Sequence, residues 1–129
     1  MVLVSVLVVD GDIAALASAR AVLSAAGYAV DEALSGRRGL QRVIANPPDL
    51  VITEILMPDG DGIELITAVK REHPGMPIIA VTDRAFLGGL NLLDLAGRLG
   101  ADAMLDKPLE AERLLSTVAR LAGLDGRSG

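Results

Sequence analysis

DLVITEILMPDGDG, residues 49–62, is the stretch that decides the fold of this 129-residue chain. It opens on a short apolar run, Leu50-Val51-Ile52, which is typical of a strand buried on both faces. Glu54 then places a carboxylate at the carboxyl end of that strand, and turn residues lead into a helical pattern that opens at Gly62. Open α/β sheets bind their ligands in crevices at the carboxyl ends of the strands. Glu54 is therefore the first residue whose role needs an explanation.

Aliphatic stretches alternate with helical patterns along the rest of the chain. The sequence predicts strands over 2–9, 28–30, 50–54, 77–81 and 101–105, and helices over 13–26, 35–45, 62–73, part of 84–100 and 109–122. Gly27 is placed to end the first helix in a left-handed conformation, and Ser35 is placed to cap the second. Strands and helices that alternate with short connections predict a doubly wound parallel sheet.

Composition indicates one domain with an aliphatic core. Apolar residues make up 51% of the chain and aromatic residues only 2%, so the core must be built from Ala, Leu, Val and Ile. We expect a single domain over residues 1–123, followed by a frayed polar tail over residues 124–129. The absence of cysteine excludes disulfides and thiolate metal sites.

Charge and hydropathy bear on location and partners. The net charge of −5 argues weakly against nucleic acid as a direct partner. No apolar run approaches the roughly 18 residues that a membrane span requires. The amino terminus also has no basic region or cleavage site of signal-peptide type. We therefore expect a soluble cytoplasmic protein.

Polar side chains follow the predicted strands at the points where they end. Asp10 and Asp12 follow the first strand, Glu54 the third, Thr82 the fourth and Lys107 the last. Carboxylates suit a hard cation such as Mg²⁺, while a lysine with a hydroxyl suits a phosphoryl oxygen. The alternative is that acids after strands merely cap helices, and for Asp12 the sequence favours neither capping nor a functional role over the other.

Five motifs, in order and at consistent separations, make the chain resemble a receiver domain of two-component response regulators over residues 3–123. They are VLVVDGD (6–12), GYAVDEALSG (27–36), DLVITEILMPDGDG (49–62), PIIAVT (77–82) and GADAMLDKPL (100–109). The resemblance implies a flavodoxin-like fold with five parallel strands in the order 2-1-3-4-5. In that family an acidic pair holds Mg²⁺, an aspartate accepts phosphate from a histidine kinase, and a Thr or Ser and a Lys contact the phosphoryl group.

The family pattern carries over only in part. Asp10 fits the first acid of the pair, but Gly11 stands at the second position and Asp12 follows it. Glu54 occupies the phosphoacceptor position, where the family has Asp, while Thr82 and Lys107 match. The resemblance thus implies a weakened or absent Mg²⁺ site made of the side chains and the carbonyl that follow: Asp10, Asp12, Glu54 and the backbone carbonyl of Leu56. In the family an aromatic residue on the fifth strand reports the presence of the phosphoryl group. Met104 stands at that position here, and Asp83 stands where a small residue is usual.

These departures argue against ordinary phosphotransfer. Glu carries one more methylene than Asp, which moves its oxygens by about 1.5 Å. An error near 1 Å in positioning a reacting group can cost about a hundredfold in rate. We therefore expect a regulatory module that acts without phosphorylation or with Glu54 as built-in charge, rather than a conventional enzyme. Glu54 could instead simply pair with Lys107 to hold the crevice closed. A conventional phosphoaccepting receiver that uses Mg²⁺ and a flavodoxin-like small-molecule binder stay open as alternatives.

Partner binding is expected through the fourth helix, the fifth strand and the fifth helix. The partner would be a histidine kinase or a downstream effector, and a homodimer stays open. Three residues more than usual for the family separate Thr82 from Lys107. The leucine-rich stretch 86–99 in this region is expected to lie mostly in the core, with a partner-binding face as the alternative.

Overall fold

A computed structural model describes residues 3–57, 62–84 and 86–123. Within these residues the elements, in chain order, are β1 (Ser5–Val9), α1 (Ile13–Ala25), β2 (Ala29–Ala33), α2 (Gly36–Ala45), β3 (Leu50–Glu54), α3 (Gly62–Glu72), β4 (Ile78–Thr82), β5 (Phe86–Leu87), β6 (Leu90–Asn91), α4 (Leu92–Leu99), β7 (Ala103–Asp106) and α5 (Ala111–Leu121). The predicted frayed tail and the turn at 58–61 lie outside the described residues.

The main sheet confirms the predicted fold class. It has five strands in the order β2-β1-β3-β4-β7, and all four pairings are parallel. The fifth predicted strand is β7, so the observed order is the expected 2-1-3-4-5. This is the flavodoxin-like arrangement.

Local signals set most element boundaries as predicted. Gly27 follows α1 with a φ of 95°, which is the left-handed conformation that favours glycine. Ser35 Oγ accepts a hydrogen bond from the Arg38 amide at 3.1 Å and caps α2. The second strand was predicted too short, because the polar Asp31 and Glu32 ended the apolar run. At the sheet edge these two side chains reach solvent and pair with arginines of the flanking helices.

The core is aliphatic and lies on both faces of the sheet. Helices α1 and α5 cover one face, where Leu16, Leu23, Leu114 and Val118 are buried against the sheet. Helices α2, α3 and α4 cover the other face, and β3 and β4 are buried along their whole length. No helix in the described ranges combines the length and the apolar character needed to cross a membrane.

The segment between β4 and α4 differs from the prediction. Residues 86–91 form a two-stranded antiparallel hairpin, turned by Gly88 and Gly89 at φ of 56° and 85°. Phe86, Leu87 and Leu90 are 61%, 45% and 48% exposed, so the expectation that this stretch is mostly core is wrong for the hairpin. It is correct for α4, where Leu92 is buried. The hairpin was missed because strands of two residues are too short to show periodicity.

Candidate functional site

The strand ends converge at one edge of the sheet and bring three of the predicted residues together. Backbone bonding continues past the strands: the Asp10 amide donates to the Ala33 carbonyl at 3.0 Å, and the Lys107 amide donates to the Thr82 carbonyl at 3.0 Å. These bonds fix the first residues after β1 and β7 in the register of the sheet. Glu54, the last residue of β3, lies between them because β3 is adjacent to β1 and β4.

Lys107 pairs with two buried carboxylates at this edge. Its Nζ lies 2.6 Å from Asp10 Oδ2 and 3.1 Å from Glu54 Oε1. Asp10 and Glu54 are each only 7% exposed. Their remaining oxygens accept backbone hydrogen bonds, Glu54 Oε2 from the Ile55 amide at 2.8 Å and Asp10 Oδ1 from the Asp12 amide at 2.9 Å. Each carboxylate oxygen at the site therefore already has a partner.

The electrostatics of this cluster shift two pKa values. Burial raises the pKa of the Glu54 carboxyl, although the Lys107 ammonium and the Ile55 amide act in the opposite direction. Burial alone would lower the pKa of the Lys107 ammonium, but its hydrogen bond to Asp10 and its attraction to both carboxylates raise it. Lys107 therefore stays protonated, and Glu54 is harder to ionise than an exposed glutamate.

Three predicted residues are not brought into this cluster. Asp12 is exposed and caps α1, where its Oδ1 accepts a hydrogen bond from the Ala14 amide at 2.9 Å. Thr82 Oγ1 bonds to the backbone of Arg84, from whose amide it accepts at 3.1 Å. Leu56 packs against the core on the α3 side and is not among the described residues that line the cavity around Asp10. Capping, left open by the sequence, is the observed role of Asp12.

A close approach of α3 to β3 also shapes the site. The Gly62 amide donates to the Ile55 carbonyl at 2.9 Å, and a Cβ at Gly62 would overlap the carbonyl oxygen of Glu54. Only glycine fits at this point, a constraint that the sequence pattern does not reveal. In the sequence, Gly62 ends the DGDG turn and opens the predicted third helix, and neither of these roles requires the close approach to β3.

Comparison with known proteins decides the family. Residues 6–119 match the family model of the response regulator receiver domain. The chain belongs to this family. It is similar to Response regulator MprA of Mycolicibacterium vanbaalenii, with 34% identity over 122 residues that cover 92% of this chain and 50% of the relative. It is also similar to the regulatory protein LuxO of Vibrio parahaemolyticus, with 33% identity over 99 residues that cover 77% of this chain and 21% of the relative.

Solved structures give the same result. The receiver is similar to a CheY-like response regulator receiver domain protein from Methanospirillum hungatei, with a TM-score of 0.88, 30% identity and coverage of 99% of this chain and 100% of the other. Chemotaxis protein CheY4 of Vibrio cholerae matches with a TM-score of 0.83 and 29% identity, and 93% and 99% of the two chains are covered. The chain spans about half the length of the MprA relatives that it matches.

The family implies Mg²⁺, and the donor set of this receiver does not fit that ion. The Lys107 ammonium already lies against Asp10 and Glu54, where it supplies positive charge. Gly11 carries no carboxylate, and Asp12 is engaged as a helix cap. In the described ranges, no group of three or more acidic, histidine or cysteine side chains is arranged to hold a metal. Mg²⁺ prefers an octahedron of oxygens with several waters retained, which this lysine-filled cluster does not offer.

Met104 lies on the side of the receiver that was predicted to bind partners. It is 37% exposed on β7, and its Cε comes within 3.2 Å of the position that a Cβ of Gly97 would take. The glycine in α4 therefore gives this flexible side chain room. A thioether with three rotatable bonds fills such a space without a fixed orientation.

Proposed function

We propose that this receiver signals without phosphorylation, as a docking module held in one state by its own ion pairs. The observation that carries this proposal is the position of Lys107 Nζ, 2.6 Å from Asp10 Oδ2 and 3.1 Å from Glu54 Oε1. Receiver domains are signalling modules that interact with kinases and effector domains. In this one, the lysine that would meet a phosphoryl group is neutralised by carboxylates of the protein itself.

Glu54 is poorly arranged to accept a phosphoryl group. Attack on phosphorus depends almost entirely on positioning and on stabilisation of charge. Both Glu54 oxygens are engaged, one by the Lys107 ammonium and one by the Ile55 amide. Burial and the neighbouring Asp10 both act to raise the Glu54 pKa. The exposed Asp83 lines the same cavity and adds repulsion against an incoming phosphate.

The contacts of Glu54 favour a fixed state over a full imitation of phosphate. A phosphoryl group carries nearly two negative charges and three acceptor oxygens, whereas Glu54 supplies one charge. Glu54 reaches Lys107, but among the described hydrogen bonds the Thr82 hydroxyl is engaged only with the backbone of Arg84. The carboxylate therefore reproduces one of the two contacts that a phosphoryl group would make. We infer that it holds the crevice closed.

The surface formed by α4, β7 and α5, with the hairpin that precedes α4, is the proposed docking face. Phe86, Leu87, Leu90 and Met104 are all exposed there. Exposed apolar side chains that gather on one surface mark sites of protein interaction. The proposed partner is a histidine kinase or a downstream effector. Because the family's aromatic reporter is absent from β7, this face would be presented constantly rather than switched.

Intact-mass spectrometry with Mg²⁺ and acetyl phosphate tests the proposal. The wild-type chain should gain no phosphoryl group, and neither should Glu54→Gln, which serves as the negative control. Labelling of Glu54→Asp alone would show that the extra methylene blocks the chemistry. If neither the wild type nor Glu54→Asp is labelled, the metal site is defective as well. Labelling of Glu54→Asp alone and labelling of neither protein both support a phosphorylation-independent module. Labelling of the wild-type chain would contradict it and would identify the labelled residue as the active site.

A further inference from the structure

A cavity of about 410 Å³ extends from the Lys107 cluster along the α1 side of the sheet. Its floor is formed by side chains of β1, β3 and β4, and its walls by α1 and by the start of α5. Most of the lining is apolar: Val8, Ile52, Val81, Ala15, Ala19, Val22, Leu114. This volume lies within the range of about 300–1,000 Å³ that small-molecule sites occupy.

The cavity exists because α1 presents small side chains toward α5. Ala15, Ser18 and Ala19 line it within little more than one turn of the helix. A leucine at any of these positions would project several carbon atoms into the space. Protein interiors are close-packed, and voids much larger than a water molecule are few. An open cavity of this size beside the site has room for a small molecule.

The mouth of the cavity selects the charge of that occupant. Asp10 and Glu54 are compensated by Lys107, but Asp12 and Asp83 also line the cavity, and both are exposed. Among the described residues, neither Asp12 nor Asp83 has a lysine or arginine within ion-pair distance. Four carboxylates and one ammonium thus line the cavity, and the two carboxylates without a cation partner are the exposed ones. An anionic ligand would be repelled there, whereas a cationic group would be attracted.

We propose that this cavity binds a small apolar amine. The hydrocarbon body would lie between α1 and α5, and the protonated amine would lie at the mouth near Asp12 and Asp83. The cavity is observed whether or not Glu54 accepts phosphate, and this inference can therefore fail or stand independently of the proposed function.

Two probes with the same ring and opposite charge test the inference, namely tryptamine and indole-3-propionate. The chain contains no tryptophan, so indole fluorescence reports the probe alone. We expect tryptamine to bind with a blue-shifted emission and indole-3-propionate to bind at least about tenfold more weakly, a difference of about 1.4 kcal/mol. Asp83→Asn should weaken tryptamine binding several-fold and should not weaken the binding of indole-3-propionate.

Matched variants of α1 locate the binding site. Ala15→Leu fills the cavity and should weaken tryptamine binding at least about tenfold. Ala17→Leu makes the same change at an exposed position outside the cavity lining and should bind as the wild type does. Ser18→Leu fills the cavity from its open side and replaces Ala15→Leu if that variant does not fold, as judged by circular dichroism.

Three results would overturn the inference. If tryptamine does not bind the wild-type chain, the cavity does not take an apolar amine. If the anion binds as tightly as the amine, the acidic mouth does not select the ligand. If both Ala15→Leu and Ser18→Leu bind tryptamine as the wild type does, the amine binds elsewhere.

Discussion

Replacing Lys107 with methionine should destabilise this receiver in a way that depends strongly on pH. The substitution keeps most of the length of the side chain and removes its terminal ammonium, which among the described residues is the cation paired with Asp10 and Glu54. At an effective dielectric constant of about 20, unit charges separated by 2.6 and 3.1 Å attract with about 6 and about 5 kcal/mol before desolvation is counted. Desolvation of the three groups offsets most of this attraction in the wild type.

The loss in the variant is larger than the net value of the ion pairs, because two carboxylates stay buried without a cation. Breaking a buried pair by removing one partner costs about 3–5 kcal/mol, which is a large share of the stability of a small domain. One carboxyl can escape by taking up a proton. Between its raised pKa and the ordinary carboxyl pKa, each pH unit of acidification then reduces the destabilisation by about 1.4 kcal/mol. The destabilisation should therefore be greatest near neutral pH and should shrink as the solution is acidified toward the ordinary carboxyl pKa.

Urea unfolding followed by circular dichroism measures this effect, with Lys70→Met as the matched control. The side chains of Lys70 and Lys107 are both 18% exposed, but Lys70 pairs with one carboxylate, that of Asp102, which is 38% exposed. The control should lose about 1 kcal/mol, with little dependence on pH. If Lys107→Met loses no more than Lys70→Met, or if its loss does not shrink in acid, the ion pairs do not hold this site together.

Three further predictions concern the same edge of the sheet and the hairpin. Because burial raises the Glu54 pKa above its ordinary value of 4.5, the folded chain binds more protons than the unfolded chain just above that pH. The unfolding free energy of the wild type, measured relative to that of Glu54→Gln, should therefore fall as pH rises through this window. A relative unfolding free energy that rises there would contradict the raised pKa. Gly62→Ala should lower the unfolding free energy by more than about 2 kcal/mol, since its Cβ overlaps a backbone oxygen that cannot move away. Thermal unfolding measures this effect, and a loss of unfolding free energy under about 0.5 kcal/mol would show that α3 shifts freely. Leu87→Asn should change the unfolding free energy by no more than about 0.5 kcal/mol, because this side chain is 45% exposed, and a loss typical of a core leucine would show that the hairpin is buried.

The sequence predicted the fold and the centre of the site because both depend on order along the chain. Alternating strands and helices determine a doubly wound sheet, and such a sheet brings the strand ends that carry Asp10, Glu54 and Lys107 to one edge. The ends of helices were equally readable, since Gly27 and Ser35 act through the backbone of their immediate neighbours.

What the sequence could not predict depends on side-chain direction and on packing between distant segments. Asp12 was left open between capping and metal binding, and the capping bond to the Ala14 amide is the contact observed. The rotamer of Thr82 turns it toward Arg84, which no spacing indicates. The cavity beside Ala15 depends on where α5 lies relative to α1, and neither helix carries that information alone.

The central claim is that the Lys107 ion pairs hold one state of the receiver without phosphate. Amide NMR spectra, recorded before and after addition of Mg²⁺ and acetyl phosphate, test it most directly. The wild-type spectrum should stay unchanged by these additions, whereas the substitution Glu54→Gln, without any addition, should shift the resonances around Asp10 and Lys107. A wild-type spectrum that moves across α4, β7 and α5 when the phosphodonor is added would show an ordinary phosphorylation switch and would contradict the claim.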